Sequence, residues 1–185
     1  MLDNKKYDVD LTLVVPAYNE ENRLPTMMND TMPYLKQKCK EGRMFKKVEL
    51  IIVNDGSKDG TEAMIKKYTE DSTEQINIRG VSLIQNQGKG AAVKYGCLFA
   101  RGDYVIFADA DGATDIKSLE KVLDGCKKIA KNGLSCAIGS RYEEGSDADR
   151  TAIRRFLAWG MNILVKFILN NDIKDTQCGF KMFTR

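Results

Sequence analysis

The chain has 185 residues, of which 43% are hydrophobic and 30% charged, and a net charge of +3. Those values fit one globular domain with a sizeable core, and the charge is too small to argue for nucleic acid as a partner. No histidine occurs, which excludes Ser-His-Asp and Cys-His catalysis and every His-ligated zinc site. The five cysteines are scattered with no C-x-x-C, a pattern of a reducing compartment rather than of a disulfide framework.

In chain order, residues 11–15 form an apolar run that predicts a first strand. Residues 23–40 predict a helix, with Pro25 in its first turn and Pro33 breaking or kinking it. Strands are expected at 49–53, 81–84, 104–108 and 136–139, and helices at 61–68, 90–100 and 116–131, the last capped by Thr114 or Asp115. This alternation predicts an α/β fold, a mostly parallel central sheet with helices on both faces, in a single domain over 1–185. Residues 143–150 are polar and read as a loop. Residues 151–169 read as a helix too apolar for an ordinary surface helix and too short and charged to span a bilayer. It suits a core or dimer helix, or an interfacial helix lying on lipid.

Four predicted strand ends carry unusual residues. The first holds Pro16, Ala17, Tyr18, Asn19 and Glu20; Tyr18 suits stacking on a base and Glu20 accepting from a base or ribose, though Pro-Ala-Tyr is also a plain turn. The second runs Asn54-Asp55-Gly56-Ser57-Lys58-Asp59-Gly60-Thr61. A carboxylate at that edge suits a pyrimidine N–H, and Asp-Gly is equally turn chemistry. The third, Asn86-Gln87-Gly88-Lys89-Gly90, opens a helix and suits an anion, but it is neither a Walker A nor a good G-x-G-x-x-G. The fourth is Asp109-Ala110-Asp111 followed by Gly112. Side chains at i and i+2 of an extended segment point the same way, and two such carboxylates suit Mg²⁺ or Mn²⁺ bridged to a phosphate. They read equally as two solvated acids or a helix cap.

Taken in that order, the four loops resemble those of the inverting family 2 glycosyltransferases of the GT-A fold, over about residues 10–183. The runs Asp109-Ala110-Asp111-Gly112-Ala113-Thr114, Gly139-Ser140-Arg141 and Asp175-Thr176-Gln177-Cys178-Gly179-Phe180-Lys181 are similar to those of the eukaryotic dolichyl-phosphate β-glucosyltransferases. The related mannosyltransferases usually differ after the acidic pair and near the end of the domain.

The resemblance implies transfer of glucose from UDP-glucose to dolichyl phosphate or another polyprenyl phosphate, with inversion. It implies that Pro16, Ala17, Tyr18, Glu20 and Asp55 line a uridine pocket, with Lys89 and Ala110 also on the nucleotide sugar. Asp111 would bind Mg²⁺ or Mn²⁺ and Asp109 the metal or the ribose. Arg141 and Arg154 would hold phosphate, and Asp175 would be the base or would orient the sugar. A phosphate monoester is already anionic, so the missing histidine is no obstacle. The resemblance further implies a membrane surface as partner, at the cytosolic face of the endoplasmic reticulum. The alternatives within reach are a polyprenyl-phosphate mannosyltransferase, another family 2 enzyme, or a nucleotide-binding domain without activity. Family members typically carry a membrane-spanning segment before the domain or more chain after Gly-Phe-Lys; neither is expected from this sequence, which reads as the domain without those flanking segments.

Overall fold

A computed structural model describes residues 8–112, 115–139 and 178–185. Its elements are β1 (Leu11–Ala17), α1 (Leu24–Glu41), β2 (Val48–Asn54), α2 (Thr61–Glu70), β3 (Ile76–Ser82), α3 (Lys89–Phe99), β4 (Tyr104–Phe107), α4 (Ser118–Ile129), β5 (Cys136–Ile138) and β6 (Lys181–Thr184). The strands form one sheet in the order β3-β2-β1-β4-β6-β5. β3, β2, β1 and β4 are mutually parallel, while β6 runs antiparallel to both β4 and β5. The sheet grows from β1 towards β2 on one side and towards β4 on the other. The carboxyl ends around β1 therefore border the crevice where open α/β sheets bind ligands.

Strand parity divides the core between the two faces. Leu11, Leu13, Val15, Val48, Leu50, Ile52 and Ile106 join Leu24, Met28, Leu35, Ile65, Leu119 and Leu123 of α1, α2 and α4 in the larger cluster. The alternate residues Val14, Ile51, Val53 and Val105 pack with Ala92 and Ala100 in a smaller one under α3. Central strands buried on both faces must be apolar throughout, which is why β1 and β2 read as continuous runs. Helix α3 lies close to the sheet: a Cβ on Gly96 would sit 2.3 Å from Val14 Cγ1.

One charged side chain is buried inside the sheet. Glu49 is 1% exposed, on the α3 face at the start of β2. Its carboxylate accepts from Thr12 Oγ1 at 2.9 Å, from the Arg101 backbone N–H at 2.9 Å and from Arg79 Nη1 at 2.6 Å. Thr12 Oγ1 in turn accepts from the Gly102 N–H at 2.9 Å. The network ties the α3–β4 connection to β1, β2 and β3.

The structure corrects several element predictions. The third strand is Ile76–Ser82 rather than 81–84. As an edge strand it alternates, with Ile76 and Ile78 buried, so the apolar run marks only its end; Leu83 and Ile84 lie beyond it, and Ile84 is fully exposed. α1 does not break at Pro33 but continues to Glu41. Its buried residues lie on both sides of the proline, from Leu24 to Cys39, and that packing offsets one missing hydrogen bond. α4 begins at Ser118 rather than 116; Asp115 Oδ1 instead accepts from the Lys117 N–H in the turn before it. Strand β6 was not expected at all. The helix read at 151–169 lies outside the described residues.

Replacing Glu49 by Ala removes the acceptor of the buried Thr12 hydroxyl, one acceptor of the Arg101 N–H and the partner of Arg79. The unfolding free energy is expected to fall by about 3 kcal/mol, seen as a lower urea midpoint; an unchanged midpoint would show that the network carries no stability.

Candidate functional site

The first two strand-end loops are laced together by side chains gripping backbone. Asn54 Oδ1 accepts from the Ser57 N–H, the Asn19 N–H donates to Ser57 Oγ, and the Lys58 N–H donates to Asn19 Oδ1. Further along, the Glu20 N–H donates to Thr61 Oγ1 and the Gly60 N–H to Glu21 Oε2. Asp59 accepts from the Thr61 N–H and hydroxyl on one oxygen and from the Glu21 N–H on the other. Residues that sequence reading assigns to turns here hold loop to loop.

Asp55 binds the third loop to these two. It is 2% exposed, and its N–H donates to the Ala17 carbonyl at 2.8 Å. Its Oδ1 accepts from the Gln87 N–H at 2.8 Å and its Oδ2 from the Gly88 N–H at 2.9 Å. Gly56 makes this approach possible: with φ at 67°, a Cβ there would meet the Asn86 N and the Gln85 carbonyl carbon at 2.6 Å. Gly88, with φ at 87°, then caps the start of α3.

A cleft of about 350 Å³ opens between these loops and the end of β4, within the size range of ligand pockets. It is lined by Pro16, Ala17, Tyr18, Glu20, Asp55, Asn86, Gly88, Lys89, Ala92, Asp109, Ala110 and Asp111. The structure thus brings together around one cleft Pro16, Ala17, Tyr18, Glu20, Asp55, Lys89, Asp109, Ala110 and Asp111. Arg141, Arg154 and Asp175 lie outside the described residues. Sequence reading passed over three lining residues. Asn86 and Gly88 stood inside a quoted motif. Ala92, one turn further along α3, offered no signal because an alanine at that spacing reads as core.

Charge in the cleft is unevenly matched. Lys89 Nζ lies 2.5 Å from Asp109 Oδ1 at the mouth of α3. Glu20 Oε1 pairs with Arg23 at 2.6 Å, whereas Glu20 Oε2 is buried without a hydrogen-bond partner. Burial pushes the Glu20 carboxyl above the usual carboxylate range against the pull of Arg23, and the negative charges of Asp111 and Asp59 add to the rise. Among the described residues no three His, Cys, Asp or Glu side chains form a ready cage for a metal. The Asp109–Asp111 pair, with Glu20 Oε2 and, apart from its ion pair to Lys89, Asp109 Oδ1 both buried without a hydrogen-bond partner, instead suits a hard divalent cation with oxygen ligands.

Two measurements probe this arrangement. Asp55→Asn puts an amide donor where one of two backbone N–H groups needs an acceptor, so about 2 kcal/mol of unfolding free energy should be lost; wild-type stability in urea would contradict the bracing role. For Glu20 the raised native pKa means that the native state holds its proton more tightly than the unfolded chain. Stability conferred by that group is present below 4.5, its ordinary value, and falls as pH rises through the higher native value. Glu20→Gln should therefore melt at a higher temperature than the parent at neutral pH, with the difference closing in acid.

Residues 12–185 match the model of Glycosyl transferase family 2. The dolichyl-phosphate beta-glucosyltransferase of Dictyostelium discoideum is 45% identical over 181 residues, covering 96% of this chain and 55% of that protein. The enzymes of that name from Homo sapiens and Saccharomyces cerevisiae are 41% and 38% identical, over 95% and 96% of this chain and 55% of each relative. The chain thus spans about half the length of the curated relatives it matches. Among solved structures, glucosyl-3-phosphoglycerate synthase from Mycobacterium tuberculosis in complex with UDP superposes with a TM-score of 0.61 at 20% identity, covering 95% of this chain and 57% of that one. At that identity the likeness is one of fold, the GT-A arrangement. With a family match that takes in all the strands from β1 to β6 and the whole cleft, the chain belongs to glycosyl transferase family 2.

Proposed function

We propose that the chain is the nucleotide-sugar-binding domain of an inverting glucosyltransferase that moves glucose from UDP-glucose to dolichyl phosphate. The observation that carries the reading is the cleft itself, where Tyr18, Asp55, Lys89, Asp109 and Asp111 meet at the carboxyl edge of the sheet. The relatives' names supply the sugar and the lipid. Solved complexes of the mycobacterial synthase contain Mn²⁺ and UDP-glucose, which supports a UDP-sugar and a divalent metal as ligands here.

In this reading Tyr18 and Asp55 hold the uracil and Glu20 faces the ribose side. Asp55 keeps lone pairs for a pyrimidine N–H although each oxygen already accepts one backbone hydrogen bond. Asp111, with Asp109, would hold Mg²⁺ or Mn²⁺. When bound, the cation stabilises the charge that UDP gains as it leaves. The start of α3 and Lys89 favour the same charge. An oxygen of the acceptor phosphate forms its bond to the anomeric carbon as the bond to UDP breaks, with its electron pair passing to the diphosphate. Arg141 and Arg154 hold the acceptor phosphate, and Asp175 orients the sugar or acts as base. Dolichyl phosphate as acceptor makes a membrane surface the working place, at the cytosolic face of the endoplasmic reticulum in the pathway of N-glycan assembly. No described helix is long and apolar enough to cross a membrane.

Thermal melts test the donor. UDP-glucose with MnCl₂ should raise the melting temperature and Asp111→Ala should abolish the rise, while GDP-mannose should have little effect. A rise with GDP-mannose alone would favour the mannosyltransferase, and no rise with either would remove the nucleotide-sugar reading.

A further inference from the structure

β6 lies beside β4, the strand whose end carries the acidic pair of the cleft. β6 pairs antiparallel with β4, with Val105 opposite Phe183 and Phe107 opposite Lys181. Continuing that register by two residues along each strand puts Asp109 opposite Gly179. Directly opposed residues of an antiparallel pair share a face, with Cβ atoms about 5 Å apart. An aspartate leaning towards such a neighbour needs the neighbour's side-chain space, and Asp109 takes it. A Cβ on Gly179 would lie 2.4 Å from Asp109 Oδ2, 2.9 Å from Cγ and 3.1 Å from Oδ1. Those are contacts with the whole carboxylate, not with one stray atom. On its other side the same carboxylate meets Lys89 Nζ at 2.5 Å. Two features thus fix where Asp109 points: an ammonium that attracts it and an empty place across the sheet that admits it.

We propose that Gly179 is a positioning residue for Asp109, and that its missing side chain holds the acidic pair in the orientation the nucleotide and its cation require. Any side chain at 179 turns the Asp109 carboxylate away from β6 and off Lys89. The segment leading into β6 thereby shapes the cleft through a residue that lines none of it. The proposal deepens the nucleotide-sugar reading and rests on it for the ligand, though not for the contact.

The test is a double-mutant cycle on Gly179→Ala, Asp109→Ala and the double variant, read by calorimetric titration with UDP in MnCl₂. Gly179→Ala should weaken UDP binding about tenfold, within the coupling range of residues in contact. In the Asp109→Ala background, where no carboxylate remains to collide, the same change should have no further effect. An equal loss in both backgrounds would show that Gly179 acts on the fold rather than through Asp109 and would overturn the proposal. If Gly179→Ala does not fold, recovery of folding in the double variant supports the collision, and failure of both overturns it. A crystal structure of ligand-free Gly179→Ala separates the two layers of the argument. Asp109 still paired with Lys89 there would sink the positioning role, whereas Asp109→Ala binding UDP normally would sink only the reading of Asp109 as a ligand-binding group.

Discussion

Helix α3 hangs between two buried carboxylates of one strand. At the end of β2, Asp55 takes the Gln87 and Gly88 N–H groups that lead into the helix. At the start of β2, Glu49 takes the Arg101 N–H just past its last turn. Between them Gly96 lets the helix settle onto Val14 and Val53. A helix held at both ends and pressed on the sheet at its middle has little freedom to slide. Its first residue, Lys89, is consequently delivered beside Asp109. The first three loops around the cleft take their place from this suspension, since the first is sewn to the second and the second to the third.

The fold was legible where burial on both faces leaves long apolar runs, as in β1, β2 and β4. It was misread where one face meets solvent or the element is brief. β3 alternates along an exposed edge, so the apolar run at 81–84, which overlaps only its last two residues, stood in for the whole. β6 is four residues that begin where a quoted motif ends, at Lys181. The cleft's residues were legible because strand-end loops with Tyr, Asp and Gly depart from ordinary connections. Glu49 was not, because its partners Thr12, Arg79 and Arg101 come from three separate elements and nothing local signals their meeting. Asp55 shows a further limit: its residue type and place were readable, but its grip on two N–H groups some thirty residues away is a tertiary fact.

The cleft is built at some expense to the empty protein. Glu20 carries an oxygen buried without a partner, and Asp111 adds to the field that opposes its ionisation. Sites of this kind favour whatever neutralises them, so binding energy and the relief of stored repulsion act in the same direction. Lys89 offsets part of the negative charge but is half exposed, which leaves its ammonium able to follow a charge that develops in the cleft.

The placement of β6 has a consequence for how the chain reaches this state. Among the described residues β5 touches the sheet only through β6, and β6 follows it in sequence. During synthesis β3, β2, β1 and β4 can associate as soon as they emerge, but β5 must wait until residues 181–184 arrive and insert. The edge of β4 stays open over that interval, a template for wrong partners. The acidic corner is finished only at that moment as well, because Gly179 comes with β6. In this reading ligand competence is timed to the arrival of residues 179–184, and a half-made domain carries its loops without a complete binding corner.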